Sequence, residues 1–238
     1  MPFSDELLDH AVRRGGTAGA LKVYSTTFSF ADENPISEAG AWSYNLSQVI
    51  ATPVATETLE GSRVAHGTQD GHAVPPGDYD DSHAIIRGFG LNYELEATIW
   101  KATSQSTGAS VYKEFELRLR EMDTLTTYST AYGNTNEQGY EIAVAYDGSY
   151  FNMGRFKGAG LVTVGSLGVT PASGDKFRAR IEGQRIRMWW NDVLKIDYTD
   201  DIYAGGIALG YPGIGFWANG APSNEIGYSA LTVTQLQP

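Results

Sequence analysis

Residues 173–201 read SGDKFRARIEGQRIRMWWNDVLKIDYTDD. Phe177, Ala179 and Ile181 alternate with Arg178, Arg180 and Glu182. After Gly183-Gln184, Ile186, Met188 and Trp190 alternate with Arg185, Arg187 and Trp189. Successive side chains leave a strand on opposite faces, so a period of two marks a half-buried strand. Gly183-Gln184 and Asn191-Asp192 carry turn chemistry. The stretch is therefore expected to form three consecutive antiparallel strands, a meander.

Outward from the meander the signals stay β. Strands are expected over residues 22–30, 62–66, 84–89, 93–101, 111–120, 140–146, 150–156, 161–166, 176–182, 185–190, 193–198, 206–217 and 225–235. Turn clusters such as Asp147-Gly148 and Ser173-Gly174-Asp175 separate them. The fold class expected is all-β, a two-sheet antiparallel sandwich. A short helix is expected over residues 4–14, capped by Ser4 and closed by Gly15-Gly16, with Leu7, Leu8 and Val12 on its apolar stripe. At about ten residues it would need a docking partner. Residues 1–20 are thus read as an arm that anchors or oligomerises the protein, and residues 21–238 as one sandwich domain.

Composition narrows the function classes. The chain has 238 residues and a formal net charge of -11. That balance argues against a nucleic-acid partner, which calls for a basic footprint. The chain has no cysteine, so disulfides, thiolate metal sites and thiol catalysis are excluded. The N-terminus has acids where a signal peptide needs a basic flank, and no stretch is long and apolar enough to span a membrane. Assembly in the cytosol is the expectation, with an extracellular location as the alternative.

Several ordered pieces resemble a known family. They are FSFADENPISEAGAWS (residues 28–43), YELEATIW (93–100), FELRLRE (115–121), GYEIAVAYDG (139–148), SGDKFRARIEGQRIRMWWND (173–192) and the closing residues 205–231. Together they are similar to the concanavalin A-like jelly roll, the lectin/glucanase or laminin G-like sandwich. The Asp-Glu-Asn-Pro opening is similar to domains of bacterial extracellular proteins and bacteriophage structural proteins. The resemblance implies that ligands lie across one sheet. It implies lectin, hydrolase, lyase or scaffold roles alike.

Family glucanases carry Glu-x-Asp-x-x-Glu on one strand. Glu121-Met122-Asp123 begins that pattern, but Thr126 stands where the last carboxylate belongs. Glu94 and Glu96 share a strand face, with Leu95, Ala97 and Ile99 on the core side. Family alginate lyases use Arg-x-Glu-x-Arg with Gln-x-His. Glu116 and Arg118 match its second half, Glu114 replaces its first arginine, and no Gln-x-His occurs. No catalytic residue is assigned.

Arginines form the stronger constellation. Arg118 and Arg120 alternate with Leu117 and Leu119, as Arg178, Arg180, Arg185 and Arg187 alternate with apolar neighbours. On one sheet they would place six guanidiniums on one face beside Trp189, suited to carboxylates or sulfates of an anionic glycan. The ordinary alternative is cross-strand pairing with Glu116, Glu121 and Glu182. Trp190 shares the parity of Met188 and belongs to the core.

Oxygen-rich loop residues Asp70, Asp78, Asp80 and Asp81, with His72 and His83, and the pair Asp200-Asp201, are of the type that suits calcium. Their spacing matches no metal motif, so no metal or cofactor is assigned. The function expected is a non-catalytic recognition or structural module. Its setting would be a phage virion, as capsid decoration or tail accessory, with other virion proteins, itself or a cell-surface glycan as partners. The alternative is a glycan-cleaving enzyme on the same fold.

Overall fold

The computed structural model describes residues 22–28, 42–44, 49–53, 63–67, 82–104, 112–121, 138–157, 161–200, 210–219 and 225–237. Strands follow in the order β1 (Val23–Thr26), β2 (Trp42–Tyr44), β3 (Val49–Pro53), β4 (Arg63–Gly67), β5 (Ser82–Ile86), β6 (Tyr93–Lys101), β7 (Tyr112–Glu121) and β8 (Gln138–Ala145). Then come β9 (Phe151–Lys157), β10 (Leu161–Leu167), β11 (Lys176–Glu182), β12 (Arg185–Trp190), β13 (Val193–Thr199), β14 (Tyr211–Asn219) and β15 (Ile226–Gln235). No α-helix occurs among the described residues, and the expected arm with Leu7, Leu8 and Val12 lies outside them. So do residues 68–81 of the acidic loop.

Two antiparallel sheets result. Sheet A runs β13-β12-β11-β6-β15-β4-β3, with β1 also paired to β15. Sheet B runs β10-β9-β8-β7-β14-β5-β2. The meander is as read from the sequence: Ile181 opposes Ile186, and Arg185 opposes Thr199. Asn191 and Asp192 both take positive φ, 48° and 63°, the conformation of a two-residue hairpin turn. The short strands β2 and β3 carry no alternation long enough to mark them in the sequence.

The core lies between the sheets. Leu95, Ala97, Phe177, Ile181, Ile186, Met188 and Val233 of sheet A meet Phe115, Leu117, Ile142, Val144, Met153 and Ile214 of sheet B, all at 0% exposure. Phe151 of sheet B packs edge-on against Phe177 (centroids 5.6 Å) and Trp190 (6.1 Å) of sheet A. Three phenols tie the layers across this apolar filling. Tyr228 donates to the Glu116 carbonyl at 2.9 Å, Tyr93 accepts from the Arg120 N–H, and Tyr140 donates to Asp200 at 2.8 Å. Buried phenols need such partners, because an unpaired hydroxyl costs more than its burial returns. Burial raises the Tyr93 and Tyr228 hydroxyls above their ordinary value.

Candidate functional site

The two outer faces of the sandwich carry the charged chemistry. On sheet A, β11 sits between β6 and β12. Its register sets Arg178 against Glu96 and Trp189, and Arg180 against Glu94 and Arg187. Arg178 lies 3.7 Å from Glu94 and 3.0 Å from Asp192. Arg180 lies 3.8 Å from Glu94 and 2.8 Å from Glu182. Arg187 also pairs with Glu182, Lys176 reaches Glu96 at 3.6 Å, and Arg185 meets Asp197 at 2.5 Å. The Asp197 hydrogen bond raises the Arg185 guanidinium, and the same bond lowers the Asp197 carboxyl. The side chains of these arginines stay 22–53% exposed.

Trp189 stands within this grid. The Arg178 guanidinium carbon sits 4.5 Å from its ring centroid and that of Arg187 at 5.7 Å. On the other flank its register partner is Leu194, 47% exposed, beside Val193 at 56%. Trp190 packs into the core, as its parity requires.

Arg118 and Arg120 are not part of that face. The expectation of six arginines on one surface assumed one sheet, but β7 belongs to sheet B. Both residues are buried, each at 2% exposure. Arg118 grips three carboxylates: Glu116 (Nε to Oε2, 2.9 Å), Glu141 (2.9 Å) and, more distantly, Glu121 (3.9 Å). The opposing strand makes room for them. Gly213 and Gly215 of β14 face Arg118 and Glu116, and a Cβ at Gly215 would overlap the Glu116 carboxylate.

Arg120 leaves the alternation altogether. Leu119 and Arg120 of β7 span a register shift opposite Pro212, and Arg120 takes a φ of 52°. This is a bulge, which re-aims a side chain. Arg120 Nε donates to the Leu91 carbonyl at 3.0 Å, and burial lowers its guanidinium. Gly210 answers the bulge with a φ of 118°, where any side chain would strike the Arg120 carbonyl.

The Asp200 carboxylate is fully buried and bound by Tyr140 and by Arg155 at 3.1 Å, so it serves as an inter-sheet tie rather than a cation ligand. The other acids of the type that suits calcium, Asp70, Asp78, Asp80, Asp81 and Asp201, with His72, lie outside the described residues, while His83 falls in β5 opposite Gly215. Among the described residues, no group of three or more His, Cys, Asp or Glu is placed to hold a metal.

One pattern escaped the sequence reading. Glu116-x-Arg118-x-x-Glu121 has the outer carboxylates of the glucanase strand with arginine in the middle. Its first glutamate lies five residues before Glu121, the residue that Asp123 marks in the sequence as a start of the glucanase pattern.

Comparison with known proteins supports this architecture. No protein-family model and no curated protein matches the chain. A Bacillus subtilis protein of unknown function with a galectin-like fold matches at TM-score 0.59 and 12% identity, over 92% of this chain and 97% of that one. The fold is a concanavalin A-like jelly roll. An endo-β-galactosidase from Clostridium perfringens that releases GlcNAcα1-4Gal matches at 0.53 and 10%, over 92% and 63% of the two chains. The apo Crh5 transglycosylase matches this jelly roll at 0.50 and 11%, over 91% and 85%. At these identities the likeness concerns fold alone.

Proposed function

We propose that this jelly roll is a non-catalytic carbohydrate-recognition module whose ligand surface is the outer face of sheet A. The observation that carries the reading is Trp189. It is a half-buried indole on a strand face, between a stacked guanidinium and an exposed leucine, inside a grid of fixed donors and acceptors. A flat apolar ring among ordered polar groups is what a sugar ring requires.

Arg118 supports the absence of catalysis. Glycoside hydrolysis needs two carboxyl groups, one of them holding a proton. Glu116 of β7 and Glu141 of β8 are instead both held in ion pairs with the buried Arg118 guanidinium. The finer setting we propose is a virion surface, in keeping with the cysteine-free acidic chain and its resemblance to phage domains.

The test is co-sedimentation of the protein with a panel of insoluble polysaccharides, with reducing ends assayed in the supernatant. Binding without new reducing ends, lost in Trp189→Ala, is the expected result. Reducing-end release that persists in Trp189→Ala and vanishes in Glu116→Gln would transfer the function to sheet B and make the protein an enzyme.

A further inference from the structure

We infer, resting on the recognition reading above, that the outer face of sheet A takes an uncharged glycan and disfavours sulfated or uronic-acid chains. The sequence shows both the arginines and nearby acids, and leaves open whether they pair or whether the arginines face an anionic glycan. In the fold, five cations (Lys176, Arg178, Arg180, Arg185 and Arg187) meet five anions (Glu94, Glu96, Glu182, Asp192 and Asp197). The charges of these ten paired residues cancel.

Neutrality by pairing has a chemical consequence. An anionic oxygen only accepts hydrogen bonds, whereas a sugar hydroxyl donates and accepts at once. Each guanidinium here has a carboxylate oxygen beside it, at 2.8 Å for Arg180 and Glu182 and at 3.0 Å for Arg178 and Asp192. A hydroxyl placed over such a pair finds both partners. A sulfate or carboxylate would meet an acid beside each of these arginines, and its own charge would be repelled by it. The pairs also hold the long side chains in place before binding, which lowers the ordering cost. Trp189 and Leu194 form the apolar strip between the ion pairs, suited to the C–H face of a pyranose.

The experiment uses the full chain on an array of neutral, sulfated and uronic glycans, beside a control lectin. Hits are titrated calorimetrically at roughly 0.05 M and 0.5 M NaCl, where exposed charges are weakly and strongly screened. The expected hits are neutral, and their affinity changes less than about three-fold between the two salts. Trp189→Ala weakens them about ten-fold while the melting curve stays in place. Glu182→Gln, which unbalances the grid around Arg180 and Arg187, brings a heparin oligosaccharide from undetectable to measurable binding. Hits confined to acidic glycans, weakening steeply with salt, would overturn the inference and leave the recognition reading intact. So would neutral hits indifferent to both substitutions, which would place the ligand elsewhere. A blank array beside a working control would sink the recognition reading itself, and this inference with it.

Discussion

Sheets A and B each present alternating arginines on a strand, and the two sets end in different environments. Arg178 and Arg180 of β11 lie half-exposed, flanked by the full-sized side chains of Glu94, Glu96 and Trp189. Arg118 of β7 is buried, and its neighbour β14 offers Gly213 and Gly215, so the ion pair lies close against that strand. The strand's own pattern sets which face an arginine takes. The neighbouring strand sets how closely the side chain can lie against the sheet.

The comparison breaks most visibly at Arg118. Arg118→Ala would leave Glu116 and Glu141 buried without the cation between them. Removing one member of a buried ion pair costs about 3–5 kcal/mol, expected here as a large fall in the urea midpoint. Gly215→Ala attacks the same pair from the other strand. Its methyl would overlap the Glu116 carboxylate, whose salt bridge leaves it little room to move. Overpacking of this kind costs about 1–3 kcal/mol. In a Glu116→Ala background that cost should largely disappear, and a double-mutant cycle would show the coupling. A loss that persists unchanged would mean Gly215 serves the backbone rather than the ion pair.

The contrast also explains what could be read in advance. The meander, the core parity of Phe177, Ile181, Met188 and Trp190, and the outward aim of Trp189 follow from period two, a property of each strand alone. Three strands, β6, β11 and β12, match their expected limits residue for residue. Which sheet a strand joins depends on long-range pairing, and nothing local in FELRLRE distinguishes it from KFRARIE. The bulge at Arg120 was equally hidden, since it arises from a register shift against a distant strand. The acids that neutralise sheet A were visible as Glu94, Glu96 and Glu182, but their pairing to particular arginines needed the register.

A smaller effect links the two layers. Burial raises the Tyr93 and Tyr228 phenols, while in the unfolded chain they ionise at about pH 10. Above that value the unfolded state has shed protons that the folded state retains, so rising pH favours unfolding. Stability from these groups is complete below about pH 10 and falls as pH climbs toward the folded values. Tyr228→Phe removes the bond to the Glu116 carbonyl, costing about 0.5–1.5 kcal/mol at neutral pH, and should flatten the alkaline decline. Melting temperatures between neutral and strongly alkaline pH would measure both. An equally steep alkaline fall in the variant would assign it to other groups.

The smallest expected change sharpens the comparison most. Arg180→Ala breaks contacts to Glu94 and Glu182 on a side chain 30% exposed. Exposed pairs of this sort contribute about 0.2–1 kcal/mol. Salt then separates the two faces. Screening reaches Arg180 and does not reach Arg118, so raising NaCl to about 0.5 M should shrink the loss seen for Arg180→Ala and leave that for Arg118→Ala in place. If the two losses respond to salt alike, the arginines of sheets A and B occupy the same kind of electrostatic environment despite their different burial.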